Sequence, residues 1–135
     1  MTQEDRNVLA ELRLKKAGDT LTEAADNISL GHWRVAANRL YYACFYAANA
    51  LLVQKGITAH THSGVQNQLG LHFVKTGFIS AEQNDLYYKL LDLRQTGDYD
   101  DWGDVQEKDV VHLVEPARNF VGEVEKIIRL SQGTS

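Results

Sequence analysis

The sequence predicts an all-α protein, an up-and-down helical bundle of about five helices. Apolar residues recur at helical spacing along almost the whole chain, and no stretch alternates with the period of a strand for long enough to compete. The predicted connections are short, which favours antiparallel neighbours. The length of 135 residues, with one proline and ten glycines, suits one domain. We therefore expect a single helical domain over residues 1–135, with an ordered core of about residues 5–130.

The first two predicted helices are the longest. The first runs from about Gln3 to Leu30, with an apolar stripe that includes Leu12, and Gly31 follows it in the position of a C-terminal cap. The second covers about residues 32–55 before Gly56 and is apolar nearly all round. A helix of that kind belongs in the centre of a bundle.

The third helix is predicted from near Ser63 to a stop at Gly77. The fourth has a marked start, because Ser80 followed three residues later by Gln83 fits a capping box. Its apolar face ends before Gly97, where we expect the helix to stop.

An acidic loop over residues 98–103 leads to the last predicted helix. Asp104 with Glu107 has the pattern of an N-terminal capping pair. Pro116 lies inside the helix that follows, and its ring removes one backbone hydrogen bond and clashes with the preceding turn. We expect a kink or a short break just before it.

Composition narrows the classes of function. The start of the chain is polar and no window approaches the roughly 18 apolar residues of a membrane span, so we expect a cytoplasmic protein without a membrane segment. Cys44 is the single cysteine and lies in the most apolar stretch, which predicts a core residue and not a nucleophile. The net charge of −4 has the wrong sign for binding nucleic acid by bulk charge. Any contact with RNA must therefore be local.

Two segments superficially resemble metal sites. The loop at residues 98–103 matches part of a calcium-binding loop, but Trp102 offers no oxygen and Asp109 stands where glutamate is usual. His60 and His62 lie in a loop without a cysteine or a fixed carboxylate beside them. We expect neither a metal nor another cofactor.

Polar side chains form one stripe along the second helix, and the fourth helix carries an arginine, Arg94, beside its apolar face. Because buried polar groups need hydrogen-bond partners, the stripe is expected to contact neighbouring helices, a second subunit or a ligand. Arg94 falls at the edge of the buried face of its own helix, so it needs an anionic partner. That partner is either Asp98 or the carbonyls of the helix end, or else a phosphate gripped by the planar guanidinium. The stripe consists of Arg34, Asn38, Arg39, Tyr42, Tyr46 and Asn49.

Four short motifs, taken together, resemble the HEPN domain family over about residues 5–130. The similarity is greatest to the short stand-alone bacterial and archaeal members. The motifs are Asn38-Arg39-Leu40-Tyr41-Tyr42-Ala43, then Leu51-Leu52 before Gly56, then His62-Ser63-Gly64, then Leu93-Arg94 leading to Asp98-Tyr99.

The resemblance implies a fold, partners and a chemistry. Such proteins are helical bundles, usually homodimers, often encoded beside a minimal nucleotidyltransferase in toxin–antitoxin or defence systems. Many are metal-independent ribonucleases whose motif is an arginine, a polar neighbour and a histidine four to six residues later. Arg94 matches the arginine and Gln95 the polar neighbour, but Tyr99 occupies the first position where the histidine would stand.

The predicted site therefore has two groups of residues. Arg39, Tyr42, Arg94 and Gln95 are the predicted ligand-binding residues. Arg94, with Asp98 and Tyr99, is the predicted catalytic set, and we expect Arg94 to be partly buried and paired with Asp98. Tyr99 either holds the loop by a hydrogen bond or accepts a nucleotidyl group from a partner transferase.

Three functions follow from the same residues. The first is a module that binds a nucleotide, RNA or a partner protein with weak or no catalysis, because tyrosine, with a pKa of about 10, is a poor base at neutral pH. The second is an active ribonuclease toxin with an altered acid/base set. The third is a purely structural dimerisation partner.

Overall fold

The structure is a computed structural model that describes the backbone of residues 1–99 and 104–132, and the side chains of those residues except 96–99. Within this part of the chain all regular structure is helical, as the sequence predicted. The helices are α1 (Gln3–Ser29), α2 (Trp33–Gln54), α3 (His62–Leu69), α4 (Ala81–Tyr99), α5 (Glu107–Val110) and α6 (Val114–Gln132). The five-helix prediction holds if α5 and α6, which a short turn joins, are taken as the fifth.

Helix α2 is the centre of the bundle and packs against α1, α4 and α6. Small residues let α1 approach it closely, because Ala10, Ala17 and Ala24 recur every seventh position of α1 and are at most 1% exposed. Leu12, which we expected in the apolar stripe of α1, is 60% exposed. At about 100° per residue it lies nearly opposite that alanine row, so the prediction for Leu12 was wrong.

Three glycines end helical segments as predicted. Gly31, Gly56 and Gly77 have φ angles of 73°, 72° and 88°, which are left-handed values that glycine adopts without strain. The segment before Gly77 is not one α-helix, because α3 ends at Leu69 and a π-helical turn, Gly70–Val74, follows it. At the start of α4, the Ser80 hydroxyl accepts from the Gln83 backbone N–H and the Gln83 side chain accepts from the Ser80 N–H, both at 3.1 Å.

Two predicted helix boundaries were wrong. Helix α4 does not stop before Gly97 but continues to Tyr99, since a glycine ends a helix only where the backbone turns left-handed. The last helical segment does not begin with Asp104. Its cap lies two residues later, where the carboxylate of Asp109 accepts a hydrogen bond from the Gln106 N–H at 2.9 Å.

The predicted break before Pro116 is present. A 3₁₀ turn, Val111–Leu113, separates α5 from α6, and Pro116 is then the third residue of α6. The first turn of a helix tolerates proline, because its N–H groups have no partner within the helix. The break therefore places the proline where it costs little.

The buried apolar residues of these helices form one continuous core. Cys44 belongs to it, as predicted, and burial raises the pKa of its thiol. In the described part of the chain, no helix is both long and apolar enough to cross a lipid bilayer.

Candidate functional site

Arg94 packs against two aromatic rings of α2. Its guanidinium carbon lies 5.5 Å from the ring centre of Tyr41 and 5.3 Å from that of Tyr42. Tyr41 is fully buried, whereas Tyr42 and Arg94 are half-buried. A cation at this distance from a ring face is attracted by the π-electrons, and planar guanidinium suits such stacking. Arg94 is thus fixed in place with its charge at the edge of the core.

His62 lies on the same two tyrosines. Its Nδ1 atom is 2.6 Å from the Tyr41 hydroxyl oxygen, and its ring centre is 5.8 Å from the rings of both Tyr41 and Tyr42. Phe45 covers another side of the imidazole at 4.4 Å between ring centres. We call Tyr41, Tyr42, His62 and Arg94 the Arg94 cluster.

The start of α3 holds His62 in this position. The Thr61 hydroxyl caps the helix by accepting a hydrogen bond from the Gly64 N–H at 2.9 Å. A side chain at position 64 would meet that hydroxyl, because a Cβ atom there would lie 2.9 Å from it. This explains physically why glycine follows His62 at this spacing.

The surroundings of His62 favour the neutral imidazole. Burial lowers its pKa below the ordinary value of 6.5, and the nearby positive charge of Arg94 lowers it further. Burial raises the pKa of both Tyr41 and Tyr87, whose rings meet edge to face with 5.7 Å between their centres. At neutral pH the cluster therefore holds one fixed cation, the protonated phenol of Tyr41 and an uncharged imidazole that can accept a proton.

The polar stripe of α2 continues from this cluster. Arg39 also lies over the ring of Tyr42, with its guanidinium carbon 5.3 Å from the ring centre. Its Nε and Nη2 atoms donate to the Asn38 side-chain oxygen, and Glu23 of α1 lies 3.7 Å away as an ion-pair partner. Two arginines thus flank one half-buried tyrosine ring.

The structure brings together three of the four predicted ligand-binding residues, Arg39, Tyr42 and Arg94. Gln95 is exposed on α4. The side chains of Asp98 and Tyr99 lie outside the described residues, so the predicted catalytic roles and the Arg94–Asp98 ion pair stay predictions. Because α4 extends to Tyr99, Arg94 does not lie in its last turn, and the helix-end carbonyls are no longer its expected partners.

Sequence reasoning missed His62 and Tyr41 as site residues. Both fall within motifs that carried the family resemblance, but a histidine was sought only after Arg94 along the chain. The spatial neighbour comes instead from a different helix, 32 positions earlier by residue number. As to metals, no group of three or more His, Cys, Asp or Glu side chains that could hold an ion occurs among the described residues.

The fold and the cluster define a small all-helical protein in which an arginine and a histidine pack on the same two tyrosine rings at the edge of the core. The HEPN domain family matches residues 10–127, and the chain belongs to that family.

Individual relatives agree with this assignment. A UPF0332 protein of Thermotoga maritima is 32% identical over 124 residues, which cover 92% of this chain and 94% of that protein. A protein of Methanocaldococcus jannaschii that is named as a candidate toxin is 29% identical, over 87% of this chain and 80% of its own length. The crystal structure of TT1696 from Thermus thermophilus has the same fold, with a TM-score of 0.73, 18% identity, and coverage of 87% of this chain and 96% of that one.

Proposed function

We propose that this chain is a HEPN-type module that binds RNA or a nucleotide through the Arg94 cluster, with weak or no catalysis. The observation that carries the proposal is a half-buried arginine fixed against two tyrosine rings, with a second arginine on one of them. Guanidinium groups grip phosphate oxygens with paired hydrogen bonds, and their planar faces also stack on bases. The two chemistries that single-stranded RNA presents thus meet complementary groups in one place.

The experiment measures the affinity of a labelled single-stranded RNA for the full chain. Arg94→Ala is expected to weaken binding by roughly tenfold or more, because hydrogen bonds to charged groups are the strong ones. Arg118→Ala is the matched control, since Arg118 is an exposed arginine on α6. Unchanged affinity in Arg94→Ala would overturn the proposal.

A second candidate function is metal-independent cleavage of RNA, and the position of His62 favours it. Neutral His62 would take the proton from a ribose 2′-hydroxyl, whose oxygen attacks the adjacent phosphorus. The bond from phosphorus to the 5′-oxygen breaks, and that oxygen takes up a proton from solvent water, which leaves a 2′,3′-cyclic phosphate and a 5′-hydroxyl. His62 then returns its proton to the solvent. Arg94 would stabilise the charge that gathers on the phosphate oxygens.

Cleavage assays in EDTA separate the two candidates. Cleavage by wild type that is lost in both His62→Gln and Arg94→Ala would establish the ribonuclease. Activity that appears only in Tyr99→His would instead indicate a binding cleft whose acid/base group is absent. RNA binding without cleavage in any variant supports the binding module.

Partners form the remaining part of the proposal. We place the chain in a toxin–antitoxin or defence pair as a homodimer, with a minimal nucleotidyltransferase as the second component. Family membership and the name of the Methanocaldococcus jannaschii relative, a candidate toxin, support this. A mass spectrum of the protein purified from its native cells tests the pairing, and an added nucleotidyl group on Tyr99 would appear in the same spectrum. A mass without partner or modification, together with absent RNA binding, would favour the purely structural dimerisation partner.

A further inference from the structure

A concave surface separate from the Arg94 cluster lies where the first turns of α1 meet the C-terminal end of α2. It encloses about 380 Å³ and is lined by Arg6 and Arg13 of α1, by Asn49 of α2 and by the residues that follow α2, 56–59. Volumes of this order are typical of small-molecule sites. None of the described residues that line this groove is acidic, although the chain as a whole carries more acidic than basic groups.

Two arginines face this groove without a carboxylate to balance them. Arg6 and Arg13 are two helical turns apart, so they lie on the same edge of α1. In the described part of the chain neither side chain makes an ion pair or a hydrogen bond, whereas Arg34 and Arg39 each have a carboxylate partner. Like charges that line one cavity repel each other, and a bound anion relieves that repulsion.

Arg6 is also fitted closely to the backbone. Its guanidinium carbon lies 3.2 Å from the position that a Cβ atom of Gly56 would take. Glycine at the end of α2 therefore provides the room in which this guanidinium sits. The charge is held at the wall of the groove and does not extend freely into solvent.

Asn49 provides a second, independent observation that indicates a ligand. The side-chain oxygen of Asn49, Oδ1, is buried and has no hydrogen-bond partner in the described part of the structure. Buried polar groups are nearly always paired, so a group that enters the groove can complete this one. The groove is also lined by apolar residues, namely Leu9, Leu52, Val53 and Ile57.

From these observations we infer that this groove is a second ligand site, which binds a nucleoside monophosphate. The phosphate lies between Arg6 and Arg13, whose planar forks bind its oxygens in pairs. The base lies against the apolar wall formed by Leu9 and Ile57, and its polar edge pairs with Asn49. This site is separate from the Arg94 cluster and goes beyond the function proposed for it.

Calorimetric titration of the full chain with AMP tests the inference. It is carried out on Arg94→Ala protein, so that the Arg94 cluster does not contribute. One molecule of AMP is expected to bind per chain. The double variant that combines Arg94→Ala with Arg13→Ala is expected to bind AMP roughly tenfold or more weakly. The double variant that combines Arg94→Ala with Arg118→Ala should bind AMP with unchanged affinity. If Arg94→Ala does not fold, wild type and Arg13→Ala are compared directly.

Further titrations identify which part of the nucleotide the groove recognises. Inorganic phosphate and adenosine should each bind more weakly than AMP. Asn49→Leu should lower the affinity for AMP but not the affinity for phosphate. Because Asn49→Leu removes an unpaired buried polar atom, it should not lower the melting temperature.

The possible outcomes test the groove and the Arg94 cluster independently. Absence of AMP binding, an affinity that Arg13→Ala does not change, or equal affinity for phosphate and AMP would each overturn this inference. RNA affinity that is unchanged in Arg94→Ala would overturn the proposed function and leave the nucleotide groove standing.

Discussion

His62 is the residue whose behaviour depends most directly on its neighbours. Burial and the charge of Arg94 both lower its pKa, and burial is the larger cause. We therefore expect Arg94→Ala to raise the pKa of His62 towards 6.5 without reaching it. An NMR titration of the ring protons measures this. Arg118→Ala should leave the value unchanged, and a wild-type pKa at or above 6.5 would contradict the geometry described here.

The same shift makes stability depend on pH. The folded chain binds a proton at His62 less readily than the unfolded chain, whose histidine has the ordinary pKa of 6.5. Stability is therefore lost as the pH falls from 6.5 through the lowered pKa. Between about pH 7 and about pH 5, wild type should lose more free energy of unfolding in urea than His62→Gln does. Equal losses would show that His62 is not perturbed.

The sequence indicated part of this site because some of its signals are local. Arg39 and Tyr42 share one face of α2, and Arg94 lies at the edge of an apolar face, so helical periodicity identifies all three. Whether His62 meets Arg94 depends on how α3 packs against α2 and α4. Helical periodicity within one segment does not contain that information.

At the scale of elements, two glycines of the α3 region are expected to differ. Replacing either with alanine favours the helical backbone by roughly 0.5–1 kcal/mol. At Gly70 a Cβ atom meets nothing within 4 Å, so Gly70→Ala should keep that gain. At Gly64 the Cβ displaces the capping hydroxyl of Thr61.

We therefore expect Gly64→Ala to be less stable than Gly70→Ala by about 1 kcal/mol, the usual contribution of such a cap. Thermal and urea unfolding measure the difference. Gly64→Ala should also move the NMR signals of His62, because the cap fixes the first turn of α3, whereas Gly70→Ala should not. Equal stability of the two variants would show that the Thr61 cap contributes nothing.

Helix existence was easier to predict than helix ends. Gly31, Gly56 and Gly77 end segments because the chain turns left-handed there, and Ser80 with Gln83 caps α4 by two reciprocal bonds. The same signals failed at Gly97 and Asp104. A glycine also fits within a helix, and residues 104–109 offer several acidic or amide side chains that can act as caps. Tertiary packing selects among such alternatives.

For the whole molecule, charge separates two kinds of association. The net charge of −4 means that two copies repel each other weakly, and added salt screens that repulsion. RNA binding at the arginines instead releases counterions and weakens as salt rises. Added salt should therefore weaken RNA binding, whereas it should either strengthen the association of two copies or leave it unchanged.

We expect the protein to form a homodimer, as members of its family usually do, with twice the 15.2 kDa mass of one chain. Light scattering during size-exclusion chromatography, at protein concentrations of tens of micromolar, measures this mass. The dimer should persist at high salt, because salt screens the repulsion between two copies that each carry a net charge of −4. A monomeric mass across the concentration series would contradict the expectation, and any site shared between two subunits would be excluded with it.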